Sequence, residues 1–473
     1  MSPPKKLAQR TPPLPSPSDP QPSTLIAQPS PSPLRIETDV ACTVCGCVCD
    51  DLSLHFQGGQ IVRVERACVL AEPWFAALAQ AAPPAAFLGM QVATHEQAIT
   101  AAVEILSHSQ APLIYGLSRS STPGQRAAVE LAERVGATID TTASICHGPS
   151  IMAIQEVGES TCTLGEVACR ADLVVFWGAN PAVSHPRHFE RYSLDPKSDL
   201  LPRGRADRRV ILINDVLNES AAFADRFVAV PECRDYELIW QLRELVRNEE
   251  AVVSANSVLP AEELRSLARE FKRCRYGVVF FGLGLAQSKQ GHLVVSALLE
   301  LVADLNAHTR FAARRLRIPG DVAGADSVLC WQTGFPFAVN MGRGYPRYNP
   351  GEFSAQNLLE RGEVDSCVLV GTESIREFSE QAQAHLATIP TIVLEYPHIE
   401  PQVPGHVRFT TSVYGIHATG TAYRMDETPI PLRQLCSSPY PTDERVLREI
   451  LRRLGDGFPP QVLPQPSRNT LDN

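Results

Sequence analysis

Residues 171–178 read ADLVVFWG: a polar start, five apolar positions in an unbroken run, and a closing glycine. A strand covered on one face alternates apolar and polar residues, whereas a continuous run of β-branched and aromatic side chains suits a strand buried on both faces of a parallel sheet. The same pattern recurs at APLIYG (111–116), RVILIND (209–215), YGVVFFG (276–282), SCVLVG (366–371) and PTIVLEY (390–396). Between these runs lie helix patterns: THEQAITAAVEILSHS (94–109), with Thr94 as its N-cap, PAEELRSLAREFKR (260–273) and HLVVSALLELVADLNAH (292–308). The alternation predicts an α/β fold of doubly wound parallel sheets.

Four of the six runs end in glycine, at Gly116, Gly178, Gly282 and Gly371. Ligands of open parallel sheets sit beyond the carboxyl ends of the strands, and a glycine there lets backbone approach a phosphate. Tight strand-to-helix turns are the alternative reading. FFGLGLAQ (280–287), with Gly282 and Gly284, comes nearest to a nucleotide loop; no G-x-G-x-x-G or Walker loop is present.

At 473 residues the chain is long enough for two or three domains. A net charge of -9 supplies no basic face for nucleic acid. No apolar run approaches the roughly 20 residues of a membrane helix. The first 33 residues hold eleven prolines and no apolar export core, so residues 1–36 are expected to form a disordered arm, and 457–473 a disordered tail. Thirteen cysteines, an odd number crowded toward the start, argue against a secreted disulfide scaffold and for a cytoplasmic protein.

The crowding centres on CTVCGCVCDD (42–51). Cys42, Cys45 and Cys49 are spaced C-x2-C-x3-C, and Cys68 follows alone. Thiolates at this spacing can surround one soft metal centre that a more distant thiolate closes. Structural zinc wants a second tight pair, which is missing, so a [4Fe–4S] cluster fits better; reduced buried cysteines are the plainer reading. Cys47 stands inside the motif as the expected non-ligand. ASICHGPS (143–150) suggests a second site, with Cys146 as a metal thiolate beside a proton-handling His147.

These segments, with ASICHGPSIMAIQEVGESTCTLGEV (143–167), ADLVVFWGANPAVSHPRHFERY (171–192), FFGLGLAQS (280–288), TGFPFAVNMGRGYPRYNPGEFSAQNLL (333–359) and GTAYRMDETPI (420–430), closely resemble the B subunit of formylmethanofuran dehydrogenase, one of the molybdopterin oxidoreductases. The likeness spans about residues 40 to 450. It implies a [4Fe–4S] cluster on Cys42, Cys45, Cys49 and Cys68. It also implies a tungsten or molybdenum centre on Cys146, held by two pterin guanine dinucleotides. His147 and Arg317 would then orient carboxylate-like oxygens, and the turns containing Gly178, Asn180, Pro181, His185, Gly282 and Gly284 would hold cofactor. The partners implied are an amidohydrolase-like A subunit, the other chains of the complex and, through them, methanofuran or an analogue. The domain plan implied is an iron–sulfur subdomain (37–75), a discontinuous α/β domain (76–143 with 259–440) and an inserted α/β domain (144–258).

The sequence also departs from the family pattern. NDVLNESAAFAD (214–225) lacks the usual Asp-Pro-Arg and threonine, VGTES (370–374) lacks Asp-Pro, PHIEPQVPGHVRF (397–409) replaces a threonine-rich loop, and Pro319 stands where a histidine is usual. An arginine's bidentate donors have no substitute in Val or Leu. These losses fit a second branch, the bacterial formyltransferase/hydrolase complex, in which the B-like chain is a non-redox scaffold. The expectation is therefore a B subunit in formyl/formate one-carbon metabolism, serving as a scaffold or, alternatively, as a redox subunit interconverting carbon dioxide and formate.

Overall fold

The computed structural model describes residues 33–78 and 83–455. All six apolar runs are strands, and all six lie in parallel pairings. One sheet is wholly parallel, in the order Arg226–Ala229, Arg209–Asn214, Leu173–Trp177, Tyr276–Phe281, Arg310–Arg315. A larger mixed sheet has a parallel centre in the order Thr138–Thr141, Pro112–Gly116, Ser366–Val370, Thr391–Glu395, Val407–Thr410, with short antiparallel strands on both sides.

These memberships correct the expected domain plan. Strands 276–281 and 310–315 pair, directly or through one another, with Leu173–Trp177, so the chain between the two visits to the larger sheet runs to about Arg315 rather than ending at 258. Register decides this: Phe280 sits beside Phe176 and Phe281 beside Trp177, so burying either run on both faces requires the other. The strand Arg35–Val40 takes in the last two residues of the segment expected to be a disordered arm. Residues 1–32 and the tail 457–473 lie outside the described residues.

Alternation within the strands explains what each face of the smaller sheet covers. Leu173, Val175 and Trp177 point into a core with helices Asp235–Arg247, Ala261–Arg273 and Gly291–Leu305. Val174 and Phe176 point the other way, into a core that contains Cys42, Cys45, Cys47 and Cys49. Each large apolar side chain buried in this way stabilises by about 1.5–3 kcal/mol. The helix His95–His108 starts as its sequence demands, on a capping box: Thr94 accepts from the Gln97 amide, and Gln97 accepts in return from the Thr94 amide.

A three-stranded antiparallel sheet, Arg35–Val40, Leu52–Gln57 and Gln60–Glu65, precedes both larger sheets. Leu52, Leu54 and Phe56 turn inward at period two and seat this sheet on the core beneath the smaller sheet. Its first connection, residues 41–51, is the cysteine loop.

Candidate functional site

The cysteine loop is closed by its own backbone. The Cys42 amide donates to the Cys49 carbonyl at 2.7 Å, and the Val48 amide to the Cys45 carbonyl at 3.1 Å. Cys42, Cys45, Cys47 and Cys49 are all buried, and Cys68 is half-buried. Cys68 enters from the end of the third strand, its carbonyl accepting from Ala71 and Glu72 at the start of the next helix. The sulfurs share a neighbourhood: burial chiefly raises the Cys42 thiol, and Cys45, Cys49 and Cys68 raise it further. Burial and Cys45 push Cys49 up to about 12, against the pull of Arg191 and Arg187. A hydrogen bond with Cys47 holds Cys45 below the ordinary thiol range, against its burial. Among the described residues, no three His, Cys, Asp or Glu side chains converge to hold a single metal ion.

The second site lies at the carboxyl ends of the smaller sheet. A cavity of about 240 Å³ is lined by Cys146, His147, Gly178, Asn180, His185, Gly282 and Gly284, together with Leu316 and Ile318, which flank Arg317. Residues scattered over more than a hundred positions meet there because three parallel strands end side by side. Pro181 opens the short helix Pro181–Ser184 at its edge. Burial raises the Cys146 thiol, and the adjacent Arg317 guanidinium opposes that shift. Arg317 is itself buried, and its Nη2 donates to Asp326 Oδ2 at 2.5 Å.

His147, expected from the sequence to handle a proton beside Cys146, is engaged at both ring nitrogens. Its Nε2 lies 3.0 Å from the Leu316 carbonyl oxygen, which only accepts, so Nε2 carries the hydrogen and Nδ1 accepts from the Ser150 hydroxyl at 3.0 Å. Burial, then Arg317, lowers its pKa to about 3. His185 repeats the arrangement one residue on, 2.9 Å from the Arg317 carbonyl, with burial lowering it to about 4. Both rings are neutral clamps on the backbone that carries Arg317.

The strand-end glycines serve close packing. A Cβ on Gly282 would meet the Gly178 carbonyl oxygen at 2.5 Å, and one on Gly284 would meet the Gly178 Cα at 2.9 Å. Gly178 itself has φ of 58°, in the left-handed region. Asn180 is also occupied: its amide donates to Glu219 at 2.6 Å, and its carbonyl oxygen accepts from Ser220 at 2.8 Å. Val216 and Leu217, shortly before Glu219 in the chain, are 64% and 67% exposed.

At the carboxyl ends of the larger sheet two acids, Glu373 and Glu395, stand among other polar groups. Glu373 pairs with Arg119 at 3.5 Å and accepts from Ser118. Glu395, buried, accepts from the Thr372 amide and hydroxyl and from the Tyr396 amide. Burial, with Glu373 nearby, raises the Glu395 carboxyl to about 7.

Several contributors escaped the sequence reading. Gln287 donates to the Cys146 carbonyl at 2.6 Å and to the Ile145 carbonyl at 2.9 Å. Asp326, which anchors Arg317, was legible only as the one charged residue of the helix Val322–Thr333. Arg187 and Arg191 lay in a quoted block without a partner until the fold brought Asp50 and Asp51 to them.

No family model matches the chain. It is 37% identical over 431 residues to the B subunit of the tungsten-containing formylmethanofuran dehydrogenase 2 of Methanocaldococcus jannaschii, covering 89% of this chain and 98% of that protein. It is 32% identical over 433 residues to the protein of the same name from Methanococcus maripaludis, covering 89% and 100%. The B subunit of the formyltransferase/hydrolase complex Fhc from Methylorubrum extorquens matches at 26% over 285 residues, 58% of this chain and 70% of that one. The crystal structure of that FhcABCD complex with methylofuran shares the fold, with a TM-score of 0.64 at 24% identity over 78% of this chain and 98% of the matched chain. No helix among the described residues is long and apolar enough to cross a membrane. The identity to the two archaeal proteins, sustained along nearly their whole length, makes this chain a member of the B-subunit family of formylmethanofuran dehydrogenases.

Proposed function

We propose that this chain is the B subunit of a cytoplasmic multi-subunit complex acting on one-carbon units at the formyl and formate level. In this reading it is a [4Fe–4S]-bearing scaffold, and the formyl chemistry belongs to an amidohydrolase-like A subunit that uses methanofuran or an analogue.

The cluster reading is supported by the donor set. Four soft sulfurs border one buried neighbourhood without the tight convergence of a mononuclear ion, whose zinc–sulfur distances are about 2.3 Å. A [4Fe–4S] core spreads its ligands over four irons, so the thiolates need only surround a shared space.

The pterin pair does not fit the residues present, and this observation carries the scaffold reading. The cavity over Cys146, about 240 Å³, falls below the roughly 300–1,000 Å³ of a site for one drug-sized ligand. Asn180 is engaged with Glu219, a carboxylate that opposes a phosphate, and the loop beyond offers Val216 and Leu217 instead of donors. At the other sheet the Arg119 cation is already paired with Glu373, and the buried Glu395 lies near that acid. Val183, Leu283 and Ile318, which line the cavity, are exposed apolar residues. Patches of this kind favour coverage by another protein chain.

The redox reading is favoured by the identity to two relatives named as tungsten-containing and by the contact of the Cys146 thiol with Arg317, which keeps a metal thiolate's position and a cation beside it. Elemental analysis of the purified complex separates the two. About four irons per chain and no tungsten or molybdenum are expected, with C146A leaving formyl hydrolysis unchanged. One tungsten or molybdenum per chain would overturn the scaffold reading, and an iron-free complex would overturn the cluster.

A further inference from the structure

The segment HPRHFERY (185–192) supplies His185 to the cavity, but its two arginines point elsewhere. Phe189–Ser193 forms a π turn, with the Leu194 amide donating to the Phe189 carbonyl at 3.0 Å. Such wide turns are uncommon and recur at functional sites. Arg187 and Arg191 stand four residues apart and reach the two carboxylates that directly follow Cys49. Arg187 grips Asp51 through two hydrogen bonds of 2.8 Å, and Arg191 bonds Asp51 and, at 2.6 Å, Asp50. Arg66, two residues before Cys68, approaches Asp51 at 3.6 Å, and Glu190 accepts from Arg187 at 3.0 Å.

Three cations and three anions balance in number, so burial decides the field they produce. The side chains of Arg187 and Arg191 are 9% and 15% exposed, against 25% for Asp51, 44% for Asp50, 56% for Glu190 and 65% for Arg66. Water and salt screen the exposed charges far more than the buried ones. The thiol loop therefore meets a positive face, although the ion pairs alone look neutral.

We propose that Arg187 and Arg191 are positioning residues that set the reduction potential of a [4Fe–4S] cluster on Cys42, Cys45, Cys49 and Cys68. The inference rests on the cluster of the proposed function. One electron, supplied by dithionite, takes such a cluster from its 2+ to its 1+ state and adds one negative charge within the thiolates. Buried cations nearby favour that product.

The test is a redox titration of the purified complex, read by electron paramagnetic resonance of the reduced cluster, in wild type, R187M, R191M and D51N. R187M and R191M are each expected to disfavour reduction about tenfold, a fall of about 59 mV for a one-electron couple. D51N breaks the same ion pairs from the opposite side and is expected to raise the potential. A merely structural bolt gives both changes the same sign, so shifts of equal sign, or none, overturn the proposal. R187K keeps the charge without the two-point grip and is expected to stay near wild type, which separates lost charge from lost folding. Iron content distinguishes the two failures. An iron-free wild-type complex removes the cluster itself, whereas iron-replete variants with unmoved potentials remove only the role of the arginines.

Discussion

Arg317 and Asp326 form a buried ion pair, Nη2 to Oδ2 at 2.5 Å, with the guanidinium also against the Cys146 thiol. Thr141 donates to the other carboxylate oxygen at 2.7 Å, while Arg317 Nε has no hydrogen-bond partner. Removing Asp326 alone leaves a buried cation uncompensated, so D326A is expected to destabilise by about 3–5 kcal/mol. The double variant R317M/D326L removes both charges at similar volume and is expected to unfold at or above the wild-type urea midpoint.

Cysteine ligands differ from cysteine neighbours in what their loss does to iron. C42A, C49A and C68A are each expected to lower iron per chain sharply and to bleach the broad visible absorbance of the cluster. C47A keeps the four sulfurs and loses only the contact that holds Cys45 low, so it is expected to retain iron. Equal iron loss in C47A and C68A would count against the ligand set.

Packing at the strand ends makes one glycine indispensable and another replaceable. A methyl on Gly282 meets the Gly178 carbonyl oxygen at 2.5 Å, whereas on Gly165, inside the helix Leu164–Arg170, the nearest atom is Thr163 Oγ1 at 3.6 Å. G282A is expected to destabilise by about 1–3 kcal/mol through overpacking. G165A is expected to stabilise by up to about 1 kcal/mol, because alanine loses less backbone freedom in a helix. Paired thermal melts check both signs.

Glu395 gives the fold a pH dependence of predictable direction. Its carboxyl is raised in the fold to about 7 by burial and Glu373, while an unfolded glutamate titrates near about 4.3. A group raised in this way contributes stability that is whole below the unfolded value and is lost as pH rises through the folded one. Wild type is expected to weaken between about pH 4 and pH 7, with E395Q showing a flatter profile by on the order of 4 kcal/mol. The comparison is one of slopes, since Gln also alters the hydrogen bonds from Thr372 and Tyr396. Parallel profiles for the two proteins would rule the assignment out.

Local pattern carried much of the fold. Unbroken apolar runs such as LVVFW at 173–177 have one stable use, a strand covered on both faces, and Thr94 with Gln97 closes a helix start within four residues. The thiol spacing at 42, 45 and 49 was equally readable, because those sulfurs share one short loop. Their common neighbourhood with Cys68 also required the strands Leu52–Gln57 and Gln60–Glu65 to turn back.

The primary structure by itself determined which segments are strands and helices, and which sulfurs, histidines and glycines have functional potential, since these depend on side-chain chemistry and short-range spacing. Only the tertiary structure decided how they are used. Strands 276–281 and 310–315 joined Leu173–Trp177 because register and two-sided burial outweigh their place along the chain. His147 became a clamp because the Leu316 carbonyl, 169 residues away, accepts a hydrogen bond from its ring. Arg187 and Arg191 came to face Cys49 because the fold lays residues 185–192 against the cysteine loop. Hydrogen bonds and electric fields act over a few ångströms of space, and sequence distance does not encode that proximity.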